Sequence, residues 1–226
     1  MMRNLLQCAG VVVTGASLLF SCTDAPAPAA QAPAAPVDSL AAAIAAIDQR
    51  IINAPGNAAL YAERSALRSA QDSLRLAAAD MERALAIDST NVEHLLRAGD
   101  LHYALVDVEK ARRRFTRAME LAPEDARPRL KLAEIELVLK RYKEGMAMVN
   151  EALRRDANNA QGYYLKGWIH MEGGDTALAI SSFRTAVEQD PQHYDAYLML
   201  GKLSAARHDP LAEQYYRTSI DLRPGR

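Results

Sequence analysis

The chain has 226 residues and a formal net charge of −1; 50% of its residues are hydrophobic and only 6% are aromatic. A near-neutral chain has no overall basic field that would recruit nucleic acid, and no acidic tail is present. Both cysteines, Cys8 and Cys22, lie within the first 22 residues, so the rest of the chain can form neither a disulfide framework nor a cysteine-based zinc site.

The N-terminal segment has the features of a bacterial lipoprotein signal. An apolar run at residues 5–20 follows a short positive start and is shorter than the about 20 residues that a membrane span needs. The run ends in the letters LFSC, which resemble a lipobox except that Phe20 replaces the usual small residue. We therefore expect a signal peptide at residues 1–21 and lipidation of Cys22. The alternative is an ordinary secretory signal with an incidental cysteine.

The segment after Cys22 is rich in alanine and proline. Eleven of the fifteen residues at 23–37 are Ala or Pro, a composition that cannot bury a core and favours an extended chain. We expect residues 22–37 to form a tether, although a disordered interdomain linker has the same composition. The residue directly after Cys22 is Thr23, whereas an aspartate at that position would resemble an inner-membrane retention signal. The expected location is therefore the bacterial outer membrane, facing the periplasm.

From residue 58 onward the sequence repeats with a period of 34 residues. Small residues recur at repeat positions 8, 20 and 27, and a bulky residue recurs at position 24. In the second repeat these are Gly99, Ala111, Ala118 and Phe115. A fixed period of this length indicates stacked units that together form an extended surface rather than a single pocket.

The repeat resembles the tetratricopeptide repeat (TPR) family, in which each unit is a helix A, a short turn and a helix B. The fourth repeat carries the family's residues at Tyr163, Gly167, Ala179, Phe183, Ala186 and Pro191. The first repeat is the weakest match, since Arg64, Ser65 and Arg68 replace the usual Leu, Gly and Tyr. The resemblance implies an all-α, right-handed TPR superhelix, an α-solenoid of five helix-turn-helix repeats preceded by one capping helix.

The domain boundaries follow from the phase of the repeat. Upstream of the first repeat, residues 38–57 are in phase with a helix B alone and are expected to form the N-terminal capping helix. The five repeats are expected at residues 58–91, 92–125, 126–159, 160–193 and 194–226.

The sequence offers little that is typical of catalysis. No phosphate-binding loop, dinucleotide fingerprint or nucleophile elbow is present in the sequence. His102 and His170 stand where the family packs an aromatic ring, and Gly173-Gly174 stands where the repeat places its turn. We therefore expect no catalytic residue, no metal and no cofactor. An enzyme with a distributed active site is the alternative of a different class.

One basic cluster lies on the predicted helix B of the second repeat, which faces outward in this fold. Its members are Lys110, Arg112, Arg113, Arg114 and Arg117. The cluster is either a solvated face or a contact for anionic headgroups or an acidic partner.

The resemblance places positions 2, 5, 9, 12 and 13 of each helix A on a concave inner groove. The residues expected to bind a partner there are Leu96, Asp100, Tyr103, Leu130, Glu134, Leu137, Tyr164, Trp168, Met171, Leu198 and Lys202. Exposed aromatic side chains with charges around them, such as Trp168 here, are typical of recognition surfaces. The groove lacks the Lys and Asn pattern of the carboxylate-clamp repeats. The first repeat contributes mostly Ala and Ser, which predicts a featureless wall.

These features predict a non-catalytic scaffold or adaptor that is lipid-anchored in the bacterial cell envelope and binds other envelope proteins or peptides through its groove. The alternatives are a structural, self-associating envelope protein and an adaptor for cell-wall enzymes or secretion machinery. On the last helix, Tyr216 and Ile220 are expected to stay partly uncovered, which predicts weak self-association or partner docking there. No nucleic-acid partner is expected.

Overall fold

A computed structural model describes residues 39–223, which form eleven helices and no strand within that range. The predicted signal peptide, Cys22 and the tether lie outside the described residues. The helices are α1 (Ser39–Asn53), α2 (Ala58–Ala70), α3 (Leu74–Ile87), α4 (Val92–Ala104), α5 (Val108–Leu121), α6 (Ala126–Val138), α7 (Tyr142–Arg155), α8 (Ala160–Glu172), α9 (Thr176–Gln189), α10 (Tyr194–Ala206) and α11 (Leu211–Leu222).

Helices α2 to α11 pack as five antiparallel pairs, and each pair packs against the next one along the chain. The first helix of each pair begins at residue 58, 92, 126, 160 or 194, which is the first residue of a sequence repeat. Helix α1 precedes the pairs and packs on α2. The predicted fold class, an all-α TPR solenoid with one capping helix, is confirmed. None of the helices described between residues 39 and 223 combines the length and the apolar character that crossing a bilayer requires.

The turn inside each pair has the same backbone conformation in all five repeats. Position 15 of the repeat has a positive φ each time, at Asp72, Val106, Lys140, Gly174 and His208. The next backbone N–H then bonds five residues back; Asp107, for example, donates to the carbonyl of His102 at 2.8 Å. This Schellman geometry favours glycine at the left-handed residue, yet only the fourth repeat has glycine there. The pattern of the whole repeat, rather than this one residue, therefore sets the turn.

The two helices of a pair come close because small residues face a bulky one. At position 27, Ala84, Ala118, Ala152 and Ala186 are fully buried. At position 8, a Cβ atom added to Gly167 would lie 2.7 Å from the ring of Phe183, the residue at position 24 of the same repeat. Gly99 and Gly201 face Phe115 and Tyr216 in the same way. The two repeats without glycine at position 8 have no ring at position 24; their pairs are Ser65 with Met81 and Ala133 with Val149.

The first repeat keeps this packing with different chemistry. Arg64 and Arg68, the residues that depart from the family pattern, both bind Asp80, whose side chain is only 5% exposed. Arg64 also donates to Asp48 of α1 at 2.6 Å. The Ser65 hydroxyl donates to the carbonyl of Ala77 at 2.8 Å. An ion cluster centred on the buried Asp80 therefore joins the capping helix to the first repeat, in addition to apolar contacts such as that of Ile51 with the core.

We expect the substitution Gly167→Ala to destabilise the protein by about 1–3 kcal/mol, because the added methyl group overpacks against Phe183. Adding Phe183→Val creates the small pair that the third repeat already uses, so the double variant is expected to lose less stability than the sum of the two single variants. Urea unfolding of the four proteins measures this coupling. Strict additivity would show that the two residues do not constrain each other.

Candidate binding groove

The first helices of repeats two to five, α4, α6, α8 and α10, carry all the residues predicted for the groove. Asp100 and Lys202 are exposed, while Glu134 is partly buried. Leu96 and Leu130 are each only 5% exposed, so they form the floor of the groove rather than contact side chains. The other predicted residues are partly buried, namely Tyr103, Leu137, Tyr164, Trp168, Met171 and Leu198. Their role in binding stays a prediction.

A chain of polar contacts runs along the middle of the groove and crosses from one repeat to the next. Lys131 of α6 binds Asp100 of α4 at 3.0 Å and Glu134 of its own helix at 3.6 Å. Gln161 of α8 donates to Glu134 at 2.9 Å. The charges at the centre of the groove are therefore already paired with one another.

Burial changes the protonation of this centre. Desolvation raises the pKa of Glu134, against the opposing effects of Lys131 and Gln161. For Lys131, burial alone would lower the pKa, but the carboxylates of Glu134 and Asp100 raise it above its ordinary value. The lysine is therefore held firmly in its charged form, and Glu134 takes up a proton more readily than an ordinary glutamate does.

The end of the groove at repeats four and five is aromatic. The ring of Tyr164 lies 6.5 Å from that of Trp168 in an edge-to-face arrangement, 5.7 Å from Phe183 and 4.8 Å from His193. Burial raises the pKa of the Tyr164 hydroxyl, and the nearby Asp195 raises it further. Trp168 packs on the buried cluster around Phe183 while keeping part of its surface open. Edge-to-face contacts of this kind stabilise the positions of the aromatic side chains.

His193 connects this aromatic end to the polar centre. The other four repeats place Asn57, Asn91, Asp125 and Asn159 at the equivalent N-cap, where the side chain accepts a backbone N–H. In α10 the Nδ1 atom of His193 accepts the N–H of Ala196 at 3.3 Å.

The Nε2 atom of His193 lies 3.3 Å from Oε1 of Gln161, the residue that also binds Glu134. Because Nδ1 must accept the backbone N–H, the neutral ring carries its proton on Nε2 and donates it to Gln161. A histidine in place of Asn or Asp thus makes one helix cap sensitive to protonation. The sequence shows that a histidine replaces Asn or Asp at this cap, but it does not indicate the hydrogen bond between His193 and Gln161.

The other end of the groove corrects the prediction of a featureless wall. The small residues of repeat one leave a hollow of about 430 Å³ between repeats one and two. It is open to the groove, and Arg97 and Asp100 border both the hollow and the polar centre. Small side chains in the sequence therefore produce a concave feature rather than a flat one.

The outward basic cluster is mostly neutralised by neighbouring carboxylates. Arg112 binds Glu136 at 3.2 Å, and Arg114 forms two bonds with Glu82, which also binds His102. Lys110 and Arg117 bind acidic residues on their own turn or helix. The first two pairs join neighbouring repeats, so the structure favours the interpretation of a solvated, ion-paired face over that of an anion-binding patch.

We expect the cap at His193 to make stability depend on pH. Burial lowers the pKa of His193 below its ordinary value of 6.5, although Asp190 and Asp195 oppose this and Arg223 adds to it. The unfolded chain therefore takes up a proton here before the folded chain does. The stabilising contribution of this site is complete above about pH 6.5 and is lost as the pH falls further.

The substitution His193→Asn restores the cap of the other repeats and removes the titration. Its melting temperature is expected to fall less than that of the wild type between about pH 7.5 and about pH 5. His208→Asn, which changes an exposed turn residue, is the control and is expected to leave the pH slope unchanged. Equal slopes for His193→Asn and the wild type would contradict the role of this cap.

Comparison with known proteins agrees with the fold and the repeat. Two profiles of the tetratricopeptide repeat family match residues 107–169 and 164–226. Together the matches cover more than half of the chain, which belongs to this family. Proteins built from these repeats are generally non-catalytic interaction modules.

Individual relatives are distant. Human DnaJ homolog subfamily C member 7 is 26% identical over 98 residues, which is 43% of this chain and 20% of that protein, so the chain spans about a fifth of the length of this relative. PilF of Pseudomonas aeruginosa has a TM-score of 0.67 at 20% identity, covering 83% of this chain and 86% of that one. YrrB, described as a TPR protein with an unusual peptide-binding site, has a TM-score of 0.54 at 23% identity, covering 80% and 93%. These likenesses show the fold.

Proposed function

We propose that this protein is a non-catalytic scaffold that binds a peptide segment of a partner protein along its concave groove. The proposal includes a lipid anchor at Cys22, an orientation toward the periplasm at the bacterial outer membrane, and other envelope proteins as partners. The observation that carries the binding role is the groove itself. It has a polar centre between a hollow at repeats one and two and an aromatic wall at repeats four and five.

The polar centre supports binding rather than catalysis. The carboxylates of Asp100 and Glu134 are both engaged by Lys131, so neither stands ready to act on a substrate. Groups fixed in this way offer hydrogen bonds to the backbone of an extended peptide at little further cost in side-chain entropy.

A specific observation keeps self-association as the second candidate. On α11, Ile220 is 60% exposed and Tyr216, one turn before it, is partly exposed, which leaves an apolar face on the last helix that the structure describes. Association through this face would not involve the groove, so the substitution described next separates the two candidates.

We expect Trp168→Ala to weaken partner binding by about thirtyfold, the usual cost of truncating an interfacial tryptophan. The measurement is binding of the full-length chain to proteins from an envelope extract, with the captured partner then purified for titration. Phe183→Ala is the control: its side chain is fully buried, and its loss is expected to cost about 3–5 kcal/mol of stability. Because Trp168 is only partly buried, its variant is expected to lose much less stability. Unchanged partner binding by Trp168→Ala would count against the groove.

The anchor is tested with the two cysteines of the chain. Cys22→Ser is expected to move the protein from the membrane fraction to the soluble fraction and to abolish incorporation of labelled palmitate. Cys8→Ser, a change within the predicted signal peptide, is expected to do neither. A Cys22→Ser protein that stays in the membrane fraction, together with a wild type that takes up no label, would show that the lipoprotein interpretation is wrong.

A further inference from the structure

The hollow between repeats one and two is suited to a large apolar side chain. Its floor is formed by Leu74, Met81 and Leu101, which belong to the core or its edge, and its wall by Ala66 and Ser69. The volume of about 430 Å³ lies within the range of small-molecule pockets in proteins, so a leucine, methionine or phenylalanine side chain enters it without displacing the wall.

The amino-acid sequence of repeat one is the cause of the hollow. Ala66 stands at position 9 and Ser69 at position 12, where the fourth repeat has Trp168 and Met171. Both small residues are exposed on α2. The wall therefore lacks the side chains that fill the same place at the other end of the groove.

A guanidinium group at the edge of the hollow has unused donors. Arg97 is half exposed and binds Glu93 on its own helix through Nε at 3.4 Å. Over residues 39–223, no hydrogen bond is found from its two terminal nitrogens.

The other cations of the central groove differ from Arg97 in this respect. Arg127 binds Glu93 and Asp125, and Lys131 binds Asp100 and Glu134. Among the described residues that line the hollow or the polar centre, Arg97 is therefore the cation best placed to receive a carboxylate from outside. The paired terminal nitrogens of a guanidinium match the two oxygens of such a group.

We propose that the hollow and Arg97 together recognise a partner segment in which a large apolar residue lies two positions from Asp or Glu. The apolar side chain fills the hollow, and the carboxylate accepts hydrogen bonds from the terminal nitrogens of Arg97. Residues two apart in an extended segment point to the same side and lie about 7 Å apart, which lets both groups face this wall. This inference rests on the proposed function of the groove and specifies what the partner must carry.

The probe is a display library of random twelve-residue peptides without a free C-terminus, selected on the full-length chain. The selected sequences are expected to share Leu, Met or Phe two positions from Asp or Glu. The dissociation constant of one selected peptide is then measured for the wild type and each variant by titration calorimetry.

Two variants test the two halves of the site. Ala66→Trp gives repeat one the residue that repeat four has at the same position, so we expect the repeat to tolerate the substitution. The indole ring fills the hollow, and the affinity for the peptide is expected to fall about tenfold to a hundredfold. Arg97→Gln is expected to remove the preference of the wild type for the acidic peptide over its Asn or Gln counterpart. Ala86→Trp, at an exposed position of α3 that borders neither part of the groove, is the matched control and is expected to leave the affinity unchanged.

The other outcomes are distinguishable. Peptides that are weakened by Trp168→Ala but not by Ala66→Trp overturn the hollow as an anchor site and leave the proposed function intact. An acidic preference that survives Arg97→Gln overturns the role of the guanidinium. Failure of every library peptide to bind overturns this inference together with peptide binding as the function of the groove.

Discussion

The close approach of the two helices within each repeat is the constraint on which the rest of the structure depends. At the position where the helices cross, a glycine backbone touches the ring of the partner helix, as Gly99 does with Phe115 and Gly201 with Tyr216. This rigid contact fixes the distance between the helices in three of the five pairs, and the smaller pairs Ser65 with Met81 and Ala133 with Val149 take its place in the other two. Because the pairs follow one pattern, the first helices of successive pairs present the same positions on one side, and the groove results from that repetition.

The polar and aromatic contacts between packed helices change in character along the chain. Near the N-terminal end of the described region they include ion pairs, as in the cluster around Asp80 and in the Arg114–Glu82 contact. Toward the other end they are aromatic, with Tyr164 against Phe183 and Tyr197 against Tyr215. Salt screens partly exposed ion pairs much more than it weakens apolar contacts. Salt is therefore expected to weaken the partly exposed Arg114–Glu82 contact more than the cluster around the buried Asp80.

Much of the fold could be predicted from the sequence because the same residue pattern recurs in every repeat. A residue whose role is ambiguous in one repeat can be interpreted from the equivalent residues in the others. Small residues such as Ala118 and Ala186 recur in register, and their complete burial follows from that register alone. The contacts of charged residues could not be predicted in the same way. Arg112 and Arg114 are two positions apart in the sequence, but their partners, Glu136 and Glu82, come from different repeats on either side. The hollow could not be predicted for another reason. Alanine and serine side chains do not by themselves indicate a cavity, because a cavity depends on the space that the neighbouring residues leave empty.

The distribution of charge along the groove determines how it discriminates between partners, if the partner binds as proposed. The paired charges at the centre, Asp100, Lys131 and Glu134, are partly exposed, and pairs of this kind contribute only about 0–1 kcal/mol each. A partner group that replaces one of these charges gains little binding free energy. The centre therefore supplies hydrogen bonds and fixes the register of the bound segment rather than adding affinity. Full burial of one large apolar side chain contributes about 1.5–3 kcal/mol. The hollow at one end and Trp168 at the other therefore supply most of the affinity, and the distance between them selects partners by the spacing of their apolar residues.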